Sequence, residues 1–296
     1  MPFAEEKVSD FSRPPPETQR FYEDSDIRDE REMIENMDKY ERRAYSLILD
    51  NISKHYGKLK AVDRVSLCLS NARCFGFLGI TGAGKSTVFK MLTGEITPTS
   101  GTAYVFGYDI KKQMFEARKY LAYCPQFDAL FFNFTIKQNL KVYCMIKGVP
   151  KGFINQVCEN LQVSFGIPDI NKKIANVTKS THRKVSIILS LIGCAPLLLL
   201  DEPTDGMNPT DQTKFWTVLS ALRSTGKTIV VTSNSVEEIE EVCTRMAVMV
   251  NGVLKCIGAS QHLKNRFSKG LVLRIKMQTT KRLQSFYSLQ DECFRL

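Results

Sequence analysis

Hydrophobic and polar positions divide the 296-residue chain into stretches of different period. Leu47 to Ile52 and Val62 to Leu69 carry alternating apolar positions, which suit antiparallel strands. Cys74-Phe-Gly-Phe-Leu-Gly79 is a short, nearly continuous apolar run closing on glycine, the pattern of a strand buried on both faces. Residues 87 to 93 read as helix, and between Phe127 and Ala195 the pattern turns helical. Leu197-Leu-Leu-Leu200 reads as a second strand buried on both faces, with two more at Thr228 to Thr232 and Met246 to Val250 and another at Gly270 to Lys276. Strands alternating with helical segments imply an α/β domain. The expected core takes residues 47 to about 120 and 197 to about 260, interrupted by a helical subdomain over residues 127 to 196.

Composition and charge change this picture at the ends. Residues 1 to 46 contain Pro14-Pro15-Pro16 and a charge-dense run, Glu23 to Arg43, and read as a linker ending in a charged helix. The net charge of +10 is uneven: residues 1 to 46 hold 13 acidic and 8 basic side chains, and Gln261 to Leu296 hold 8 basic and 2 acidic. With no RNA-binding signature and little aromatic interleaving, that basic C-terminal extension, residues 261 to 296, reads as solvated surface, and no nucleic-acid partner is expected. The 9 cysteines show no Cys-x-x-Cys pair and read as reduced, mostly buried thiols of a cytosolic protein. Met1 to Asp10 has no apolar run of a signal peptide, and the most apolar stretch, Ile187 to Leu200, is broken by Gly193 and Pro196, so no bilayer crossing is expected.

The chemistry lies where strand meets helix. Gly79-Ile80-Thr81-Gly82-Ala83-Gly84-Lys85-Ser86 fits G-x-x-x-x-G-K-[ST] and sits between an expected strand and an expected helix. Glycines at 82 and 84 allow backbone N–H groups to point inward around phosphates, Lys85 has the reach for the β and γ phosphates, and the Ser86 hydroxyl suits Mg²⁺. Such a loop needs an acid at the end of a neighbouring strand. Asp201 would meet Mg²⁺ through water, and Glu202 is placed to polarise an attacking water.

The order of motifs then resembles the ATP-binding cassette ATPases, and most closely the second nucleotide-binding domain of the subfamily A lipid transporters. The resemblance rests on Gly79 to Thr87 with Phe89-Lys-Met-Leu-Thr-Gly94, on Cys124-Pro-Gln-Phe-Asp-Ala-Leu130 and on Asp201-Glu-Pro-Thr-Asp-Gly-Met207, and covers about residues 47 to 270. It implies a P-loop (RecA-like) core with an antiparallel β subdomain and an inserted helical subdomain. It also implies ATP and Mg²⁺ as cofactors, with Thr87 completing the phosphate loop. Tyr56 would stack on adenine, and Gln126 would sense Mg²⁺ and couple to transmembrane domains. A second cassette and those transmembrane domains are the implied partners, lipid the cargo, and the cytoplasmic face of a membrane the location.

Three departures from the family pattern bear on turnover. Where members carry a Ser-Gly-Gly signature that grips the partner's γ-phosphate, this chain has Thr178-Lys179-Ser180 before Arg183-Lys184-Val185-Ser186. The switch histidine is replaced by Asn234, which donates a hydrogen bond and carries no proton charge. Gly206-Met-Asn208-Pro has Asn208 where the family usually has Asp. Two readings stay open: an ATPase motor, and an ATP-binding regulatory module or truncated product with little hydrolysis. The departures favour binding over turnover. A soluble cassette acting on ribosomes is a third reading, but such proteins carry two cassettes in one chain.

Overall fold

Two sheets organise residues 24–267, the part of the chain that the computed structural model describes. The proline triplet and the strand expected at Gly270 to Lys276 lie outside the described residues. In chain order the elements are α1 (Ser25–Asn36), β1 (Tyr45–Tyr56), β2 (Leu59–Ser70), β3 (Cys74–Leu78), α2 (Lys85–Thr93), β4 (Ser100–Val105), β5 (Tyr108–Asp109), α3 (Met114–Lys119) and β6 (Leu121–Cys124). Three helices follow, α4 (Ile136–Ile146), α5 (Ile154–Ser164) and α6 (Lys179–Leu191). The chain then returns through β7 (Leu197–Asp201), α7 (Pro209–Ser224), β8 (Thr228–Ser233), α8 (Val236–Val242), β9 (Arg245–Val250), β10 (Val253–Gly258) and α9 (Ser260–Phe267).

One sheet is antiparallel, in the order β2-β1-β4-β5. The other runs β10-β9-β3-β8-β7-β6, parallel from β9 to β6, with β10 antiparallel at the edge. The fully apolar strands of the sequence are its centre, and their two faces feed different cores. Leu198, Leu200, Ile229 and Val231 pack toward the helices, whereas Leu197, Leu199, Val230, Phe75 and Phe77 pack toward the antiparallel sheet. That is the period-two consequence of a strand buried on both sides. Gly76 is forced by this packing, since a Cβ there would lie 2.2 Å from Cγ2 of Ile239 in α8.

Local capping sets the helix starts. The Thr135 hydroxyl accepts from Gln138 N–H while the Gln138 side chain accepts from Thr135 N–H, a capping box that opens α4. Thr178 caps α6, and Asn208 caps α7 with Pro209 in its first turn.

The charged helix expected at the end of the leading segment is α1, but it does more than link. Ile27 and Ile34 are buried, and Glu30, 6% exposed, accepts from Cys68 N–H at 2.8 Å and pairs with Arg245. A spacing of seven places both isoleucines on one face, so two apolar residues suffice to dock the helix. The first basic residues after Gln261 are likewise partnered: Lys264 binds Glu240 at 2.7 Å, and Arg266 binds Asp24 and Asp26 at 3.1 and 2.9 Å. Here charge that reads as solvated in sequence ties the helix before the domain to the helix that ends the described part.

Candidate functional site

Parallel pairing brings three strand ends together. Leu78 lies beside Ser233, and Asp201 beside Thr232, so the carboxyl ends of β3, β8 and β7 form one rim. Ligands of open α/β sheets bind outside that edge. The loop from Gly79 to Gly84 leaves it into α2 and is shaped by glycine at two points. Gly82 has φ +83 and Gly84 φ +107, conformations that side-chain-bearing residues rarely hold. At Gly84 a Cβ would also lie 2.4 Å from the Ala61 carbonyl oxygen, and at Gly79 it would lie 2.5 Å from that of Met249.

Lys85 opens α2 and turns back into this loop. Its ammonium, on a side chain 3% exposed, donates to the Gly79 carbonyl at 2.6 Å and the Ile80 carbonyl at 3.2 Å, and stands 3.3 Å from Glu202 Oε1. The other Glu202 oxygen accepts from Gln126 Nε2 at 2.9 Å. Thus Lys85, Gln126 and Glu202 meet at one point, although Gln126 and Glu202 lie 76 residues apart in sequence. Glu202 itself sits at φ +44, a left-handed backbone that costs about 1–3 kcal/mol in a non-glycine residue. Thr232 helps to hold it there: its hydroxyl accepts from Glu202 N–H at 2.8 Å and donates to the buried Asp201 carboxylate at 2.6 Å.

Of the residues the sequence singles out, Tyr56, Thr81, Gly82, Ala83, Gly84, Lys85, Ser86, Thr87, Gln126 and Glu202 line one cleft of about 420 Å³. Leu59, Lys60, Ala61, Asn251 and Gly252 complete its wall. Gly79 and Ile80 supply the carbonyls under Lys85, and Asp201 lies behind the rim, 1% exposed. Tyr56 is half exposed, with the Lys54 ammonium 5.2 Å from its ring centre on one face. Asn234 is exposed just past β8 and does not line the cleft. A larger groove of about 680 Å³ beside α1 mixes Asp24, Glu35 and Asp63 with Arg31 and Arg64 and has no phosphate loop.

Arg183 is a part of the site that the motifs leave out. It is 1% exposed and donates to five carbonyls: Pro203 at 3.0 Å, Pro125 at 2.6 Å, Gln126 at 3.3 Å, Asp201 at 2.6 Å and Glu202 at 3.2 Å. One guanidinium therefore ties the Gln126 loop, the acid pair and α6 into a unit. In sequence it is one of several polar residues in the first half of α6, Lys179 to Lys184, and nothing local sets it apart. Beside it, burial pushes the Cys124 thiol up to about 11, which keeps it a neutral packing group.

The degenerate signature is built into the fold locally. Thr178 Oγ1 accepts from Thr181 N–H at 3.3 Å, and Ser180 hydrogen-bonds Asp211 of α7, which also pairs with Lys184. The Lys179 stem lies across Gly206, where an added Cβ would be 2.7 Å from Lys179 Cε. Asn208 accepts from Asp211 N–H at 2.8 Å, so it keeps the helix cap that Asp would provide and drops the charge.

Comparisons with known proteins bear on the family and the fold. The ABC transporter family profile matches residues 62–205. The phospholipid-transporting ATPase ABCA3 of Mus musculus is 40% identical over 279 residues, covering 92% of this chain and 16% of that protein. The human retinal-specific phospholipid-transporting ATPase ABCA4 is 39% identical over 262 residues, covering 88% of this chain and 11% of that protein. The chain thus spans under a fifth of the length of these relatives. Among solved structures, an ATP-binding subunit of an ABC transporter superposes with TM-score 0.68 at 22% identity, covering 75% of this chain and 92% of that one. A dimeric ATP-binding cassette in a post-hydrolysis state, bound to ADP and Pi, gives 0.67 at 19% identity, covering 72% and 98%. At those identities the structures speak for the fold. With the family profile, the sequence identity and the fold in agreement, the chain belongs to the ABC transporter family, as a cassette domain of the subfamily A kind.

Proposed function

We propose that the cleft between Tyr56 and Lys85 binds Mg-ATP, and that the domain pairs with a second cassette and with transmembrane domains to power or regulate lipid movement at the cytoplasmic face of a membrane. The observation that carries this reading is the meeting of Lys85, Gln126 and Glu202 in a glycine-shaped cradle at the carboxyl ends of β3, β7 and β8. The residues fit the ligand: a buried ammonium for phosphate, a glycine-shaped loop leading into the N-terminus of α2, and an aromatic ring on the cleft wall. They fit the metal as well. Ser86, Gln126 and Asp201 offer oxygen donors of the kind that Mg²⁺ takes beside phosphates, and bound there the ion would neutralise charge on the transferring phosphoryl group. Lys85 binds the phosphates, Gln126 orients Glu202, and Glu202 positions the attacking water and accepts its proton. Support for pairing comes from the dimeric cassette of the same fold, and support for lipid from relatives named as phospholipid-transporting ATPases.

A second reading, an ATP-binding module with little turnover, is favoured by Asn234 and by the Lys179 side chain over Gly206. Nucleotide titration beside a phosphate-release assay tests both. Lys85→Ala removes a charge-assisted contact of about 1.5–3 kcal/mol and should weaken ATP binding by tenfold or more. An unchanged dissociation constant refutes the nucleotide reading. Brisk phosphate release by the unmodified chain, abolished in Glu202→Gln, refutes the low-turnover reading.

A further inference from the structure

The cleft has one wall that neither the phosphate loop nor the aromatic platform explains. Asn251 and Gly252 form the turn between β9 and β10, with φ +49 and +80. Two consecutive left-handed residues make the turn that Asn-Gly favours, and its twist matches the flanking strands. The turn braces the site from two sides. Gly252 N–H donates to the Ala83 carbonyl at 2.9 Å, in the phosphate loop, and the Gly252 carbonyl accepts from Asp63 N–H at 2.8 Å, on β2. An added Cβ at Gly84 would come within 3.5 Å of Gly252 Cα. The turn thus occupies the joint between the β1–β2 end of the cleft, where Tyr56 stands, and the phosphate loop, and Asn251 is on the cleft wall there.

A nucleotide stretched from the ring of Tyr56 to the phosphate loop has its sugar at that joint. Lys60, also on this wall, is paired with Asp63 at 3.3 Å. The Asn251 carboxamide is the uncharged group on this part of the wall that offers both a donor and an acceptor, the pair that a vicinal diol satisfies. We propose that Asn251 is a positioning residue that binds the ribose hydroxyls of the nucleoside triphosphate. The proposal rests on the nucleotide reading of the same cleft.

The test is a titration of the full chain with ATP, 2′-deoxy-ATP and 3′-deoxy-ATP, for the unmodified protein, Asn251→Gly and Asn251→Asp. Glycine keeps the left-handed turn and removes the carboxamide; aspartate keeps an acceptor and removes the donor. The unmodified chain should prefer ATP over at least one deoxy analogue by about three- to tenfold, the worth of one hydrogen bond. In Asn251→Gly the affinity for ATP should fall to that of the analogue and the preference should vanish. Equal weakening of all three nucleotides would make the residue a brace of the phosphate loop and overturn the proposal, as would a preference that survives both substitutions. If the unmodified chain binds none of the three, the nucleotide reading itself fails, and Asn251 falls with it.

Discussion

Arg183 offers a direct measure of how the site is held from within. Its five carbonyl partners belong to two chain segments, residues 125–126 and 201–203, and the nearest carboxylate, Asp128, is 3.6 Å away. Charged hydrogen bonds of about 1.5–3 kcal/mol each would sum to more than most domains possess in total stability, so they do not add. Part of that gross energy offsets the desolvation of the guanidinium itself. What remains on removal is set by the partners: Arg183→Met fills the volume but leaves the five carbonyls at a buried site without their donor. Breaking such a network costs about 3–5 kcal/mol. Arg183→Lys keeps the charge, but one ammonium cannot reproduce the planar fork that bridges the Pro125 and Asp201 segments, so it should recover less than half of the loss. In urea, with a slope of about 2 kcal/mol/M, the methionine variant should unfold about 1.5–2.5 M earlier. Equilibrium unfolding followed by the fluorescence of the buried Trp216 reads this directly. Midpoints of both variants within about 0.3 M of the unmodified chain would refute the reasoning, and so would lysine matching arginine.

Three further outcomes follow from the same geometry. Tyr56→Ala should weaken ATP binding while Tyr56→Phe stays nearly silent, because stacking needs only the ring; a titration in which the two behave alike removes Tyr56 as the base platform. Burial raises the Asp211 carboxyl, but hydrogen bonds from Lys184 and Ser180 outweigh it and hold it below the ordinary value of 3.8. A lowered folded value means the stabilisation is fully present above 3.8 and is lost as pH falls through the folded value, so Asp211→Asn should destabilise at neutral pH, with the gap starting to close only below 3.8 and vanishing below the lowered folded value in acid unfolding. Asn234→His should raise phosphate release, by up to about 10²–10³, only when a second cassette with an intact signature is mixed in; a gain by the chain alone would show that the replaced position is not a composite-site residue.

Much of the site is legible in sequence because its parts depend on short-range patterns. A strand closing on glycine, a Gly-x-Gly-Lys turn and an acid after four leucines each declare themselves within ten residues, and parallel pairing then places them on one rim. Arg183 is harder to read because its function is defined by backbone carbonyls, which leave no side-chain pattern at Pro125, Asp201 or Pro203. The Asn251-Gly252 dipeptide does announce a hairpin, but its place on the cleft wall depends on β9 lying next to β3, a register that no local pattern carries. The charges of α1 and α9 look solvated because each sequence segment lacks its partner; Arg266 and Asp26 lie 240 residues apart. Sequence texture reports exposure only where opposite charges are not brought together by the fold.

Two of the three departures from the family pattern, Thr178-Lys179-Ser180 and Asn208, meet at one corner of this domain, and the third, Asn234, stands apart just past β8. Apart from Asn234 at the switch position, the groups of its own phosphate cradle are held: Lys85 by two carbonyls, Glu202 by Gln126 and Thr232, and the loop by Gly252. The signature corner is instead consolidated against its own domain, with Ser180 and Lys184 on Asp211, Thr178 on Thr181 and the Lys179 stem on Gly206. Glycines at this corner would leave backbone N–H groups open to a phosphate at a helix N-terminus. Here Lys179 and Ser180 carry side chains instead, and Ser180 bonds Asp211, so restoring glycine at 180 would also remove an internal contact. In the pairing proposed above, the two composite sites are therefore altered differently: the one built on this chain's Lys85 carries Asn234 and depends on the partner's signature, and the one that needs this chain's signature meets Thr178-Lys179-Ser180 in place of Ser-Gly-Gly.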